Sequence, residues 1–201
     1  MSAAPRDVTI IDSGGANLAS LQFALERLGA TSRVSSDAAE IRAARRVLLP
    51  GVGAAGDAMA RLRATGLDQA IPRLTQPLLG ICLGMQLLFD GSDEGATDCL
   101  GVIGGHVRRM AGDSELPVPH MGWNTVSILR DDPLLRGLGG ADYLYFVHGY
   151  SAVVGPQTLA GTDYGSPFSA VVRRDNFWGV QFHPERSAAA GARVLVNFLE
   201  I

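Results

Sequence analysis

The chain has 201 residues, enough for one domain with a substantial core. With 47% hydrophobic and 18% charged residues it does not belong to the disordered class. A net charge of −3, with basic residues clustered no further than pairs such as Arg45-Arg46 and Arg108-Arg109, excludes the electrostatic footprint of a nucleic-acid binder. No apolar run is long enough to span a bilayer, and the N-terminal stretch lacks the apolar core of a signal peptide, so a cytoplasmic protein is expected.

Val8-Ile11 reads as a short apolar strand. A helix is expected from about Asn17 to Leu28, with Leu18, Leu21, Leu25 and Leu28 on one face and Gly29 as its stop. A strand near Arg33-Ser35 precedes a second helix, capped by Ser36 or Asp37 and running to about Ala43. Val47-Leu49 is a third strand, cut by Pro50-Gly51. Helical pattern resumes at Met59-Leu62 and at Leu67-Leu74. Pro77-Ile81 is a fourth strand, followed by a helix expected to reach Phe89. Short apolar strands joined by helices imply a parallel sheet covered on both faces. Beyond residue 120 the pattern changes. Segments near 125-129, 143-147, 151-154, 158-162, 168-173 and 177-182 read as strands between Gly, Pro and Asp turns. A last helix, from about Ser187 to Glu200, carries Val194, Leu195, Phe198 and Leu199 as one stripe. The expected fold is a three-layer α/β domain over residues 1-201. Its central sheet is mostly parallel, with helices on both faces and extra antiparallel strands in the C-terminal half.

Gly80-Ile81-Cys82-Leu83-Gly84 ends the fourth strand. The pattern G-x-C-x-G is the cysteine form of a nucleophile elbow, in which glycines at −2 and +2 let strand and helix crowd around one exposed residue. A free cysteine is more often a buried structural residue, so the motif alone leaves both readings open. Cys82 would stand at a helix N-terminus, where the macrodipole favours a thiolate. The N–H of Leu83 would be a ready oxyanion donor. Phe182-His183-Pro184-Glu185 supplies a base with a carboxylate two residues on, able to face the same way in strand-like geometry and to orient the imidazole. Pro50-Gly51-Val52-Gly53-Ala54-Ala55-Gly56 contains G-x-G-x-x-G between a strand and a helix. A dinucleotide site would also need an acid at the end of the next strand, where Cys82 stands instead, so that reading is disfavoured. The loop reads better as a glycine strand offering an N–H of Val52 or Gly53 to an oxyanion. Two cysteines and four well-separated histidines give no metal-ligand spacing, and no cofactor is called for.

Together the glycine strand Pro50-Gly53, the elbow Gly80-Ile81-Cys82-Leu83-Gly84-Met85-Gln86 and the late His183-Pro184-Glu185 resemble the class I (triad) glutamine amidotransferases. Pro119-His120-Met121-Gly122-Trp123-Asn124 and Tyr145-Phe146-Val147-His148-Gly149-Tyr150 narrow the resemblance to the glutaminase subunits of imidazole glycerol phosphate synthases, as does Ile11-Asp12 followed by Asn17-Leu18. Without it, Trp123 and Tyr145 would pass as core aromatics and His120 as a turn residue. The resemblance implies Cys82 as nucleophile, His183 as base and Glu185 as orienting acid. It implies oxyanion donors at Val52, Gly53 and Leu83, and glutamine held by Gly53, Gln86 and Glu94 beside the backbone of Gly149 and Tyr150. It further implies that Met121, Gly122, Trp123, Asn124, Tyr145 and Arg186 meet a cyclase barrel subunit in a heterodimer. Ammonia would pass to that subunit, which makes imidazole glycerol phosphate and an aminoimidazole carboxamide ribotide in histidine biosynthesis. Two departures stand out. Ser13-Gly14-Gly15-Ala16 replaces the Tyr-Gly-x-Gly often seen after the first strand, and Arg186 follows the triad segment where many members carry Lys.

Overall fold

A computed structural model describes residues 6–13, 18–112 and 114–201. The first half alternates strand and helix. β1 (Asp7–Ile11), α1 (Leu18–Arg27), β2 (Thr31–Ser35), α2 (Ala38–Ala43), β3 (Val47–Gly51), α3 (Ala55–Ala64), α4 (Leu67–Ala70) and β4 (Leu78–Cys82) follow in order. Then come α5 (Leu83–Gln86), β5 (Phe89–Ser92), β6 (Thr97–Asp98), β7 (Ile103–Arg109), β8 (His120–Thr125), β9 (Ser127–Ile128) and β10 (Tyr143–His148). The chain ends with β11 (Tyr150–Ala152), β12 (Thr158–Asp163), β13 (Pro167–Arg174), β14 (Phe177–Val180) and α6 (Ala188–Glu200). The expected Asn17 start of α1 and the 14–16 loop lie outside the described residues.

The main sheet has eight strands in the order β2-β1-β3-β4-β14-β13-β12-β9. From β2 to β14 the pairs are parallel; β14, β13, β12 and β9 continue the sheet antiparallel. Alternation along the covered strands divides the core. Ile10, Leu48, Leu79 and Ile81 face one layer, with Leu21 and Leu25 of α1 and Val194 and Phe198 of α6. Ile11, Val47, Leu49 and Leu78 face the other, with Ile41 of α2 and Met59 and Leu62 of α3. Each such side chain fully buried contributes roughly 1.5–3 kcal/mol, which is why both faces need helices. Asp37 caps α2, accepting from the N–H groups of Ala39 and Glu40. A second sheet, β11-β7-β5-β6, and the ribbon β10-β8 complete the molecule.

The structure corrects several expected boundaries. β3 continues through Pro50 to Gly51 rather than stopping at Leu49. β1 pairs with β3 only as far as Leu48. Past that point this edge of β3 has no ladder partner among the described residues, a setting in which a residue lacking an N–H is tolerated. The helix after the elbow has four residues instead of reaching Phe89. Phe89–Ser92 instead pairs with β7 and β6. His120 begins a strand, not a turn, and the strands expected at 151-154 and 177-182 end at Ala152 and Val180.

Candidate active site

Three adjacent parallel strands, β3, β4 and β14, bring their C-terminal ends to one place. Gly51 pairs with Cys82, and Val180 pairs with Ile81. The strand ends therefore deliver the glycine segment, the cysteine and the stretch 181–185 side by side. Among open α/β sheets this is the edge where ligands bind.

Cys82 has φ 54° and ψ −113°, a left-handed conformation unusual for a residue with a side chain. It is held there by close backbone approach. A Cβ on Gly84 would lie 1.7 Å from the Leu49 carbonyl oxygen, and one on Gly80 would lie 2.7 Å from that of Gly84. Glycine at both positions lets α5 pack directly onto β3 and β4, which forces the strained turn and turns Cys82 toward the cavity. Because α5 has one turn, the expected macrodipole is reduced to its first N–H groups, Leu83 among them.

His183 Nδ1 lies 2.8 Å from Glu185 Oε1. A 3-10 turn over Pro184–Arg186, opened by the proline, brings them together, rather than the strand-like geometry expected. The other Glu185 oxygen is buried without a hydrogen-bond partner among the described residues. Burial opposes a charge on His183, but hydrogen bonds and attraction from Cys82 and Glu185 prevail and raise its pKa to about 10. The imidazole thus stands between Cys82 and Glu185 with its proton retained. Its backbone is strapped to β10: His183 N–H donates to the Tyr145 carbonyl at 2.9 Å, and Tyr145 N–H donates to Ser187 Oγ at 2.9 Å. The Ser187 hydroxyl in turn donates to the His183 carbonyl at 2.6 Å.

A cavity of about 350 Å³ opens over the cysteine, lined among others by Val52, Gly53, Leu83, Gln86, Glu94 and Gly149, with His183 and Glu185 in its wall. That volume suits a small polar metabolite. Glu94 Oε2 accepts from Ala55 N–H at 2.8 Å and supplies the cap that Ala54 cannot give α3. Gln86 Nε2 donates to the Tyr150 carbonyl at 2.8 Å and to Gln181 Oε1 at 3.0 Å. The Gly149 carbonyl accepts from Met110 N–H, so Gly149 and Tyr150 wall the cavity with their carbonyls engaged. Gln181 is a residue that motif reading missed. Its only signal is its place two residues before His183. No group of three or more His, Cys, Asp or Glu side chains able to hold a metal occurs among the described residues.

Away from the cavity, β8 and β10 present an exposed face. Met121 is 64% and Trp123 51% exposed, and the Trp123 ring meets Tyr145 edge-on at 5.8 Å. Trp123 is therefore not the core aromatic that an unaided reading expects. Arg186, which also lines the cavity, stacks its guanidinium over the Tyr145 ring at 4.4 Å, and Tyr145 pairs across the ribbon with Trp123, which Gly122 and Asn124 flank on β8.

A cysteine elbow, a His–Glu pair on the neighbouring strand end and a glycine segment around one cavity define the class, and residues 9–201 match the glutamine amidotransferase class-I family model. The chain belongs to the class-I glutamine amidotransferase family. It is 55% identical over 195 residues to imidazole glycerol phosphate synthase subunit HisH of Xanthomonas campestris pv. campestris strain 8004, covering 97% of this chain and 98% of the relative. It is 50% identical over 196 residues to the subunit of the same name from Yersinia pseudotuberculosis, covering 97% of this chain and all of that relative. Among solved structures, one described as a glutamine amidotransferase superposes with a TM-score of 0.74 at 20% identity, over 96% of this chain and 97% of that one. PurLQS from Thermotoga maritima gives 0.70 at 19% identity over 98% of both. These two share the fold.

Proposed function

We propose that this chain is the glutaminase subunit of imidazole glycerol phosphate synthase, hydrolysing glutamine to glutamate and ammonia in histidine biosynthesis. The supporting likeness is to relatives bearing that name at 50–55% identity over nearly the whole length. The observation that carries the chemistry is the meeting of Cys82, His183 and Glu185 at one cavity. Cys82 Sγ, as thiolate, attacks the side-chain amide carbon of glutamine. Val52, Gly53 and Leu83 offer N–H groups to the resulting oxyanion. His183 gives its proton to the departing nitrogen, the C–N bond breaks, and ammonia leaves a glutamyl thioester. Water then attacks, His183 takes its proton, and glutamate departs as the thiolate is restored. Glu185 orients the imidazole and balances its charge. Gln86 has both amide hydrogens committed, so only its Oε1 remains for the substrate. Glu94 has one oxygen beyond its cap to the substrate's ammonium, and Gly53, Gly149 and Tyr150 shape the pocket.

The exposed face of Met121, Gly122, Trp123, Asn124, Tyr145 and Arg186 is where a cyclase barrel subunit would dock to form a heterodimer. That subunit receives the ammonia and makes imidazole glycerol phosphate and aminoimidazole carboxamide ribotide. Two exposed apolar side chains, Met121 and Trp123, near a guanidinium stacked on Tyr145 suit such a contact. No described helix is long and apolar enough to cross a membrane, and a cytoplasmic enzyme fits the reading.

The test is a coupled assay with the cyclase. Glutamine-dependent product formation is expected, with Cys82→Ala removing it by on the order of 10⁴-fold or more while synthesis from added ammonia persists. Glutamine-dependent turnover surviving in Cys82→Ala would rule out the nucleophile, and no product with glutamine in the intact pair would rule out the subunit.

A further inference from the structure

The buried amide of Gln181 is not used in the chemistry above, yet its position is tightly specified. Val180 pairs with Ile81, so the next residue along β14 falls beside Cys82. Gln181 is fully buried, its N–H donates to the Ala170 carbonyl at 2.9 Å, and its Nε2 lies 3.8 Å from Cys82 Sγ. The orientation of this amide follows from one backbone atom. The Tyr150 carbonyl can only accept, so the Gln86 atom facing it at 2.8 Å is a nitrogen. That same nitrogen is 3.0 Å from Gln181, whose facing atom must then be the oxygen. Gln181 is left with its N–H groups toward the sulfur. The Tyr150 carbonyl is also occupied on its other side by His148 Nδ1 at 2.9 Å, and His148 Nε2 accepts in turn from His120 Nδ1 at 3.3 Å. Every member of this chain has one sense, because it starts from an atom that cannot donate.

At the sulfur, beside the hydrogen bond shared with His183, two further contacts compete. The Val147 carbonyl, 3.8 Å away, accepts from an S–H and so holds the proton on sulfur. The Gln181 amide donates and so stabilises negative charge there. We propose that Gln181 is a positioning residue for Cys82: its amide, turned by Gln86, donates Nε2–H to Sγ and holds the thiolate aimed into the cavity, opposing the Val147 carbonyl, which favours the protonated thiol. The proposal rests on Cys82 being the nucleophile. It makes Gln86 a joint part, with Oε1 left for substrate and Nε2 setting the amide that meets the sulfur. Hydrogen bonds in such a chain strengthen one another in a low-dielectric interior.

The experiment follows the rate of Cys82 alkylation by iodoacetamide against pH in the full chain carrying Cys99→Ser, so that one thiol reports. The reagent needs no glutamine, so the profile is obtained whether or not Cys82 proves to be the nucleophile, which is judged separately by Cys82→Ala. The charged groups facing the sulfur, His183 with Glu185 behind it, are the same in all variants, as is His148 beyond them. In Gln181→Met the midpoint is expected to rise by about one pH unit, and kcat to fall roughly tenfold with KM within about twofold. In Gln86→Met the amide of Gln181 is free to turn, and a smaller rise is expected together with a higher KM. Midpoints within about 0.2 unit of the parent in both variants overturn the proposal. Should Gln181→Met fail to unfold cooperatively, Gln86→Met decides alone: a raised midpoint supports the proposal and an unchanged one overturns it.

Discussion

Two histidines stand in the wall of one cavity at nearly the same depth, His183 at 8% exposure and His148 at 6%, and the protein treats them in opposite ways. Burial works against charge on both. At His183 hydrogen bonds to, and attraction from, Cys82 and Glu185 overcome it and raise the pKa to about 10. At His148 burial leads, the neighbouring His120 and His183 add like charge, and the Tyr150 carbonyl opposes too weakly, so the pKa falls to about 4. Depth does not decide the protonation state of a buried imidazole; its partners do. One ring thereby keeps its proton, as its proposed part in the reaction requires, and the other is neutral near pH 7 and fixes a carbonyl.

The contrast can be broken most severely at the charged ring. His183→Ala is expected to lower glutamine hydrolysis by on the order of 10⁴–10⁶-fold, measured as kcat with the cyclase present, and Glu185→Gln by roughly 10²-fold less. The reverse ranking would contradict the roles assigned. Next in size is an effect on folding alone. Gly84→Ala places a Cβ 1.7 Å from the Leu49 carbonyl oxygen and is expected to cost several kcal/mol, on the order of 3–5, or to prevent folding, read by denaturant unfolding. Wild-type-like stability in that variant would mean the elbow can relax.

The pH dependence of unfolding separates the two histidines more gently. His183 has a folded pKa above its usual 6.5, so its stabilisation is complete below pH 6.5 and lost as pH rises toward about 10. His148 has a folded pKa below 6.5, so its contribution is present above pH 6.5 and lost as pH falls toward about 4. Glu185→Gln should move the alkaline loss to lower pH, because one of the groups holding the proton loses its charge. The smallest effect is expected from His148→Asn, which should flatten the acid limb between about pH 6.5 and 4 and leave the alkaline limb in place. An acid limb unchanged in that variant would assign the loss to other groups.

Much of this was legible in residue order because the parallel half of the sheet is covered on both faces. Apart from the edge strand β2, its strands are short apolar runs, its helices carry a stripe, and Asp37 announces a cap. β5 and β7 were missed for the opposite reason. Phe-Asp-Gly-Ser has one large apolar side chain, and Ile103–Arg109 buries only Ile103 and Val107 among exposed neighbours. Their pairing comes from tertiary context, which also cut short the helix after Gln86. At the site, Cys82, His183 and Glu185 could be named from motifs. The Tyr150 and Val147 carbonyls could not, since a backbone oxygen leaves no trace in residue type. Gln181 became visible only through strand register.

The glycines around Cys82 are demanded by volume, not by reactivity. Leu49 and Gly84 approach so closely that the fold excludes a methyl group whether or not the cysteine is present. A relative that had lost its thiol and all hydrolysis would still need Gly80 and Gly84 to close the same turn. When chains of this shape are sorted by what they do, the glycine pair is therefore a marker of architecture, and Sγ, the proposed nucleophile, with the ring facing it, is the proposed marker of activity.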